Sequence, residues 1–105
     1  MRIAIVGLGY VGIQLAVALG RKRQVVGLDL DEQKITDYQA NYDATGEVSE
    51  AELRAATHLE FTTQPSHLKG CDIFIIAVPT PVDPKKNPDF GPLVSASRTV
   101  GSVMA

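Results

Sequence analysis

The chain has 105 residues, 45% hydrophobic and 21% charged, proportions that suit one globular domain with a buried core and exclude a disordered or fibrous chain. With 10 basic against 12 acidic residues the formal charge is −2, so no basic face is available for a phosphate backbone and no nucleic-acid partner is expected. The longest apolar run, Ile73 to Pro79, is too short to span a bilayer, so no membrane partner is expected either. A single cysteine, Cys71, cannot form an internal disulfide, and no signal peptide precedes the first apolar run; the expected compartment is the reducing cytoplasm.

Ile3 to Val6 is a short, continuous apolar run closed by glycine, the pattern of a parallel strand covered on both faces. Tyr10 to Leu19 reads as a helix whose apolar face is Val11, Leu15, Ala18 and Leu19, widened by Ala16 and Val17. Arg21-Lys22-Arg23 then complements the helix dipole and is read as a solvated terminus. Gln24 to Leu28 is a second parallel strand. Asp31 to Ala40 is a second helix, with acids in its first turn and Ile35 and Tyr38 on one face.

After a polar turn from Asn41 to Glu47, Ser49 and Glu52 have the spacing of a capping box that opens a short helix reaching Ala56. Leu59 to Thr62 is a third strand, Gln64 to Leu68 a helical turn, and Asp72 to Val78, rich in β-branched residues, the clearest strand of all. Pro79 to Pro84 form a loop, Pro88 keeps the stretch to Gly91 irregular, and Pro92 to Ala105 reads as a helix opened by proline. The order β-α-β-α-(α)-β-β-α makes this an α/β chain. It is a Rossmann-type doubly wound parallel sheet, truncated to its first half plus a fourth strand and helix, with residues 1–105 forming one partial domain.

Between the first strand and first helix lies Gly7-Leu8-Gly9-Tyr10-Val11-Gly12, and the next strand is followed at once by Asp29. In this context each glycine has a purpose: Gly7 permits the tight turn, Gly9 lets backbone approach a pyrophosphate, and Gly12 lets helix and strand pack closely. The helix N-terminus then offers free N–H groups to the phosphates. Asp29 is placed to accept hydrogen bonds from the adenosine ribose. A 2′-phosphate would meet its charge and those of Asp31 and Glu32, so the expected cofactor is NAD rather than NADP. Lys34 is the one nearby cation, readable equally as a solvated helix lysine. Cys71 has no general base beside it and is read as a packing residue; His58 and His67 lack metal-ligand spacing; Asp83 and Asp89 on the proline-rich loop are explained as well by solvation as by a ligand. No nucleophile–base–orienter set is present, so no catalytic residue and no metal ligand is assigned.

The segments IVGLGYVG, LAVALG, VVGLDLD, EVSEAEL, CDIFIIAVPTPVD and NPDFGPLVSASRTVG together resemble the N-terminal NAD-binding domain of the UDP-glucose/GDP-mannose dehydrogenase family over essentially the whole chain. NPDFGPL and EVSEAEL are most similar to the Vi-antigen-type UDP-N-acetylglucosamine/galactosamine 6-dehydrogenases of surface-polysaccharide synthesis. The resemblance implies oxidation of a UDP-sugar C6 alcohol to a carboxylate in two NAD-dependent steps, through a cysteine thioester. It implies that Tyr10 and Val11 place backbone N–H groups on the pyrophosphate, that Asp29 and Lys34 hold the adenosine ribose, and that Thr80 packs against the cofactor. The family commonly reads GLGYVGLP, where this chain has Ile13 and Gln14; loss of that proline should alter rigidity in the first helical turn more than cofactor contacts.

The family's catalytic cysteine, its lysine and asparagine partners and its sugar-binding region have no counterpart here, and Cys71 does not match the catalytic motif. The expectation is therefore a domain that binds NAD and, without a larger protein around it, oxidises no UDP-sugar. Two other readings share the glycine loop. A stand-alone NAD-sensing regulatory module would keep the loop and the acid but lack VPTP and NPDFGPL, and a methyltransferase would bind S-adenosylmethionine in place of NAD. In the strand order 3-2-1-4-5-6 the strand Ile73 to Val78 would be covered by a fifth; uncovered, its apolar edge predicts self-association or a longer parent chain.

Overall fold

The computed structural model describes residues 1–78 and 91–103. Within them the strands β1 (Arg2–Val6), β2 (Gln24–Leu28), β3 (Leu59–Thr62) and β4 (Ile73–Ile76) form one parallel sheet in the order β3-β2-β1-β4. The helices are α1 (Tyr10–Gly20), α2 (Glu32–Gln39), α3 (Glu50–Ala55) and α4 (Gly91–Val103), with a 3₁₀ turn at Pro65–Leu68 ahead of β4. β1 is central: Ile3 pairs with Val25 on one side and Ile73 on the other, and Val6 with Leu28 and Ile76.

Strand periodicity divides the core in two. Ile3, Ile5 and Val25 join residues of α1, α2 and α3 in one buried cluster, whereas Ala4, Val6, Val26 and Leu28 join Leu68 and the α4 residues Ala96 and Val100 in another. Burial on both faces is why β1 and β2 read as unbroken apolar runs. The expected doubly wound arrangement is present. β4 is shorter than the apolar run suggests, although the Ala77 N–H still reaches the Val6 carbonyl at 2.8 Å. The expected loop residues Thr80, Asp83 and Asp89, together with Pro79 and Pro84, lie outside the described residues.

The buried face of α1 is the expected one only in part: Ala16 and Val17 are buried and Leu19 packs against the core, but Val11, Leu15 and Ala18 are exposed, and Gly12, Ile13 and Gly20 face the core instead. A helix that is apolar nearly all round cannot be phased by hydrophobicity, and here close approach decides the phase. A Cβ on Gly20 would lie 2.7 Å from the Leu59 Cβ, and one on Gly12 would lie 1.8 Å from the Gly7 carbonyl oxygen. The side with the smallest residues is the side that can reach the sheet.

On α2 the expected pair, Ile35 and Tyr38, is buried, and Asp31 serves as the N-cap, accepting the Lys34 N–H at 3.1 Å. The capping box at α3 is present, with reciprocal 3.1 Å bonds between Ser49 and Glu52. Arg21, Lys22 and Arg23 are exposed, as expected of a solvated terminus.

The polar turn between α2 and α3 is organised by Asp43. Its carboxylate accepts the Thr45 N–H at 2.9 Å and hydroxyl at 2.7 Å, the Glu47 N–H at 3.0 Å and the Val48 N–H at 3.1 Å. Burial alone would raise its pKa, but these bonds from Thr45, Val48 and Glu47 outweigh burial and hold the carboxyl below its ordinary value of 3.8. A depressed folded pKa stabilises the native state above the ordinary value, and that stability is lost as pH falls below 3.8 through the folded value. Asp43→Asn is therefore expected to lower the urea midpoint at neutral pH and to flatten its decline under acid. An acid limb identical to that of the parent protein would show that Asp43 is not responsible for it.

Candidate functional site

The strand order reverses between β1 and β4, and the carboxyl ends of strands at such a point are where open α/β sheets bind ligands. A cleft of about 310 Å³ opens there. Its floor is Val6 to Gly9, one wall is Leu28 to Leu30 with Lys34, and the other is Val78 with Ser95, Ala96 and Thr99 of α4. Its size falls at the lower end of the range for small-molecule sites.

The loop is shaped from within. Gly7 has φ +99°, a conformation that side chains resist, and its N–H donates to the Leu28 carbonyl at 2.8 Å. Leu8 is fully buried beneath it. Gly9 is the N-cap of α1 and supplies no side-chain cap, so the helix presents its first-turn N–H groups without a side-chain acceptor. A Cβ on Gly9 would meet nothing within 4 Å, so packing does not require a glycine there. Gly9 itself lines the cleft, so the open position stands at the site where a pyrophosphate would need to approach.

Asp29 stands just beyond β2, 15% exposed at its side chain. Its Oδ2 accepts the Leu8 N–H at 2.9 Å and the Lys34 Nζ at 3.2 Å, and its Oδ1 accepts the Asp31 N–H at 3.0 Å. A carboxylate has roughly four acceptor positions, so three such bonds orient it and still leave capacity for a ribose hydroxyl. Lys34 is thus no freely solvated lysine: it is bound to the acid. Tyr10 and Val11 turn their side chains to solvent, 64% and 63% exposed, and do not line the cleft; any share they have in binding is through backbone N–H. Gln14, where the resemblance led to an expected proline, donates to the Glu47 carboxylate at 2.8 Å and ties α1 to the Asp43 turn, while Ile13 is fully buried.

The remaining candidates stay apart. Burial pushes the Cys71 thiol up, Arg2 opposing and Asp72 adding to the effect, and the residue packs against the α4-side cluster, away from the reactive thiolate state. His67 Nδ1 is hydrogen-bonded to the Thr62 hydroxyl, and His58 is exposed. Among the described residues no group of three His, Cys, Asp or Glu side chains could hold a metal, and no helix is long and apolar enough to cross a membrane. Sequence reasoning missed Leu30, 71% exposed at the cleft, and the α4 wall of Ser95 and Thr99; the i, i+4 spacing of these two hydroxyl residues is the one signal that pointed there.

Residues 1–105 match the model of the UDP-glucose/GDP-mannose dehydrogenase family, NAD binding domain. Among curated relatives, a UDP-N-acetyl-D-glucosamine 6-dehydrogenase of Pseudomonas aeruginosa is 47% identical over 99% of this chain and 25% of its own length. Protein CapL of Staphylococcus aureus is 49% identical over 97% of this chain and 24% of its own. Among solved structures, a UDP-D-ManNAc dehydrogenase from Pyrococcus horikoshii superposes with a TM-score of 0.91 at 34% identity, covering 99% of this chain and 26% of that one. The chain spans about a quarter of the length of the curated relatives it matches. The Pseudomonas aeruginosa and Pyrococcus horikoshii proteins are dehydrogenases, and the alternative of a regulatory module gains no support from these likenesses. The chain belongs to the UDP-glucose/GDP-mannose dehydrogenase family, as its NAD-binding domain.

Proposed function

We propose that the protein carrying this chain is an NAD-dependent nucleotide-sugar 6-dehydrogenase that oxidises the C6 alcohol of a UDP-N-acetylhexosamine to a uronate, in the cytoplasm, for surface-polysaccharide synthesis. Residues 1–105 are its partial cofactor domain, and the sugar site and catalytic groups belong to other parts of the protein. NAD, when bound, is the hydride acceptor. The observation that carries the reading is the pairing of an unfilled space at Gly9 with an oriented carboxylate at Asp29, across one cleft at the switch point of the sheet.

In this reading Gly7 and Gly12 shape the loop, Gly9 and the Tyr10 and Val11 N–H groups meet the pyrophosphate, Asp29 holds the ribose, and Lys34 holds Asp29. Thr80, which the resemblance assigns to the cofactor, lies outside the described residues. Asp31 and Glu32 beside Asp29 disfavour a 2′-phosphate. The edge of β4, which no strand among the described residues covers and where Ile73 is 39% exposed, is the proposed site of self-association or of pairing with another part of the protein. The test is titration of the protein with NAD and NADP, followed by assay for NADH formation with UDP-N-acetylglucosamine, UDP-N-acetylgalactosamine and UDP-glucose. Tight NAD binding and turnover of an N-acetylated sugar are expected. Turnover of UDP-glucose alone would overturn the substrate assignment, and UDP-sugar oxidation by residues 1–105 in isolation would overturn the division of labour.

A further inference from the structure

We infer that Tyr38 is a positioning residue for the phosphate end of the cofactor site, acting through the Leu8 carbonyl. This rests on the cofactor reading above and adds a residue that does not line the cleft. The Tyr38 hydroxyl donates to the Leu8 carbonyl oxygen at 2.9 Å, and the Leu8 N–H donates to Asp29 Oδ2 at 2.9 Å. Both peptide groups flanking Leu8 are therefore held by the segment that runs from β2 into α2. In a trans peptide the C=O and the following N–H point to opposite sides. With the Leu8 C=O drawn to Tyr38, the Gly9 N–H is turned the other way, and with it the start of α1.

The phenol is suited to a fixed role. Tyr38 is 2% exposed, so no water competes for its hydroxyl. Burial, reinforced by the charges of Asp43, Asp29, Asp31 and Asp37, pushes its pKa up, and the group remains a donor throughout the physiological range. Its ring packs on Phe61 with centroids 5.2 Å apart, a contact that does not need the hydroxyl. Tyr38→Phe therefore removes one hydrogen bond from the loop and leaves the packing in place.

The experiment compares NAD, ADP and adenosine binding in the full protein. Tyr38→Phe is expected to weaken NAD and ADP by about tenfold, as loss of one buried hydrogen bond implies, while adenosine affinity changes by less than about twofold. Phe61→Leu, which disturbs the packing alone, should lower stability without changing the ratio of ADP to adenosine affinity. An unchanged ratio in Tyr38→Phe, with the parent protein binding NAD, overturns this inference alone; failure of the parent protein to bind NAD overturns the cofactor reading on which it rests.

Discussion

Gly12→Ala is expected to destabilise the domain by about 2 kcal/mol and to abolish NAD binding, whereas Gly9→Ala should leave stability within about 1 kcal/mol and still weaken NAD at least about tenfold. The two glycines occupy one loop but are required for different reasons. A Cβ on Gly12 would fall 1.8 Å from the Gly7 carbonyl oxygen and 2.9 Å from its carbonyl carbon. Those are backbone atoms that cannot swing aside, so the helix must move off the strand. The cost exceeds the gain of about 1 kcal/mol that alanine brings to a helix. At Gly9 the added methyl meets no protein atom within 4 Å, so its effect should fall on whatever approaches from outside. Urea denaturation and calorimetric titration of both variants check the contrast. A Gly9→Ala variant that binds NAD like its parent would remove the main physical argument that the cofactor's phosphates lie there.

Asp29→Asn should reduce NAD affinity by roughly 30-fold, about 2 kcal/mol, and bring NADP close to NAD. The carboxylate accepts from three donors, the Leu8 and Asp31 N–H groups and Lys34. An amide of the same shape must turn its NH₂ toward at least one of them, leaving Lys34 or a loop N–H opposed by a donor. It also gives a ribose hydroxyl a weaker acceptor. NADP should lose less, because the same change relieves repulsion of a 2′-phosphate. Parallel titrations with the two dinucleotides read both effects, and an unaltered preference for NAD over NADP would assign that selectivity elsewhere.

Much of the fold was legible in the residues because its signals are local. Strands buried on both faces leave continuous apolar runs, a capping box needs only Ser49 and Glu52, and the tight turn after β1 needs a glycine that can take φ +99°. The face of α1 is legible only in part, for an equally physical reason. Val11, Leu15 and Ala18 satisfy helical spacing as well as Ile13, Ala16 and Val17 do, and only the approach of Gly12 and Gly20 to the sheet breaks the tie.

By itself the sequence determined the strand–loop–helix–strand unit, the three glycines, the acid after β2 and the family likeness, because each depends on neighbours along the chain and on residue types few alternatives can replace. Only the tertiary structure decided what those residues touch. It bound Lys34 to Asp29, drew Asp29 to the Leu8 N–H, brought Tyr38 to the Leu8 carbonyl 30 positions away, and made α4 a wall of the cleft. Such contacts depend on how helices seat on a sheet. Seating is settled by shape and close approach between distant segments, and no local pattern of polarity encodes it.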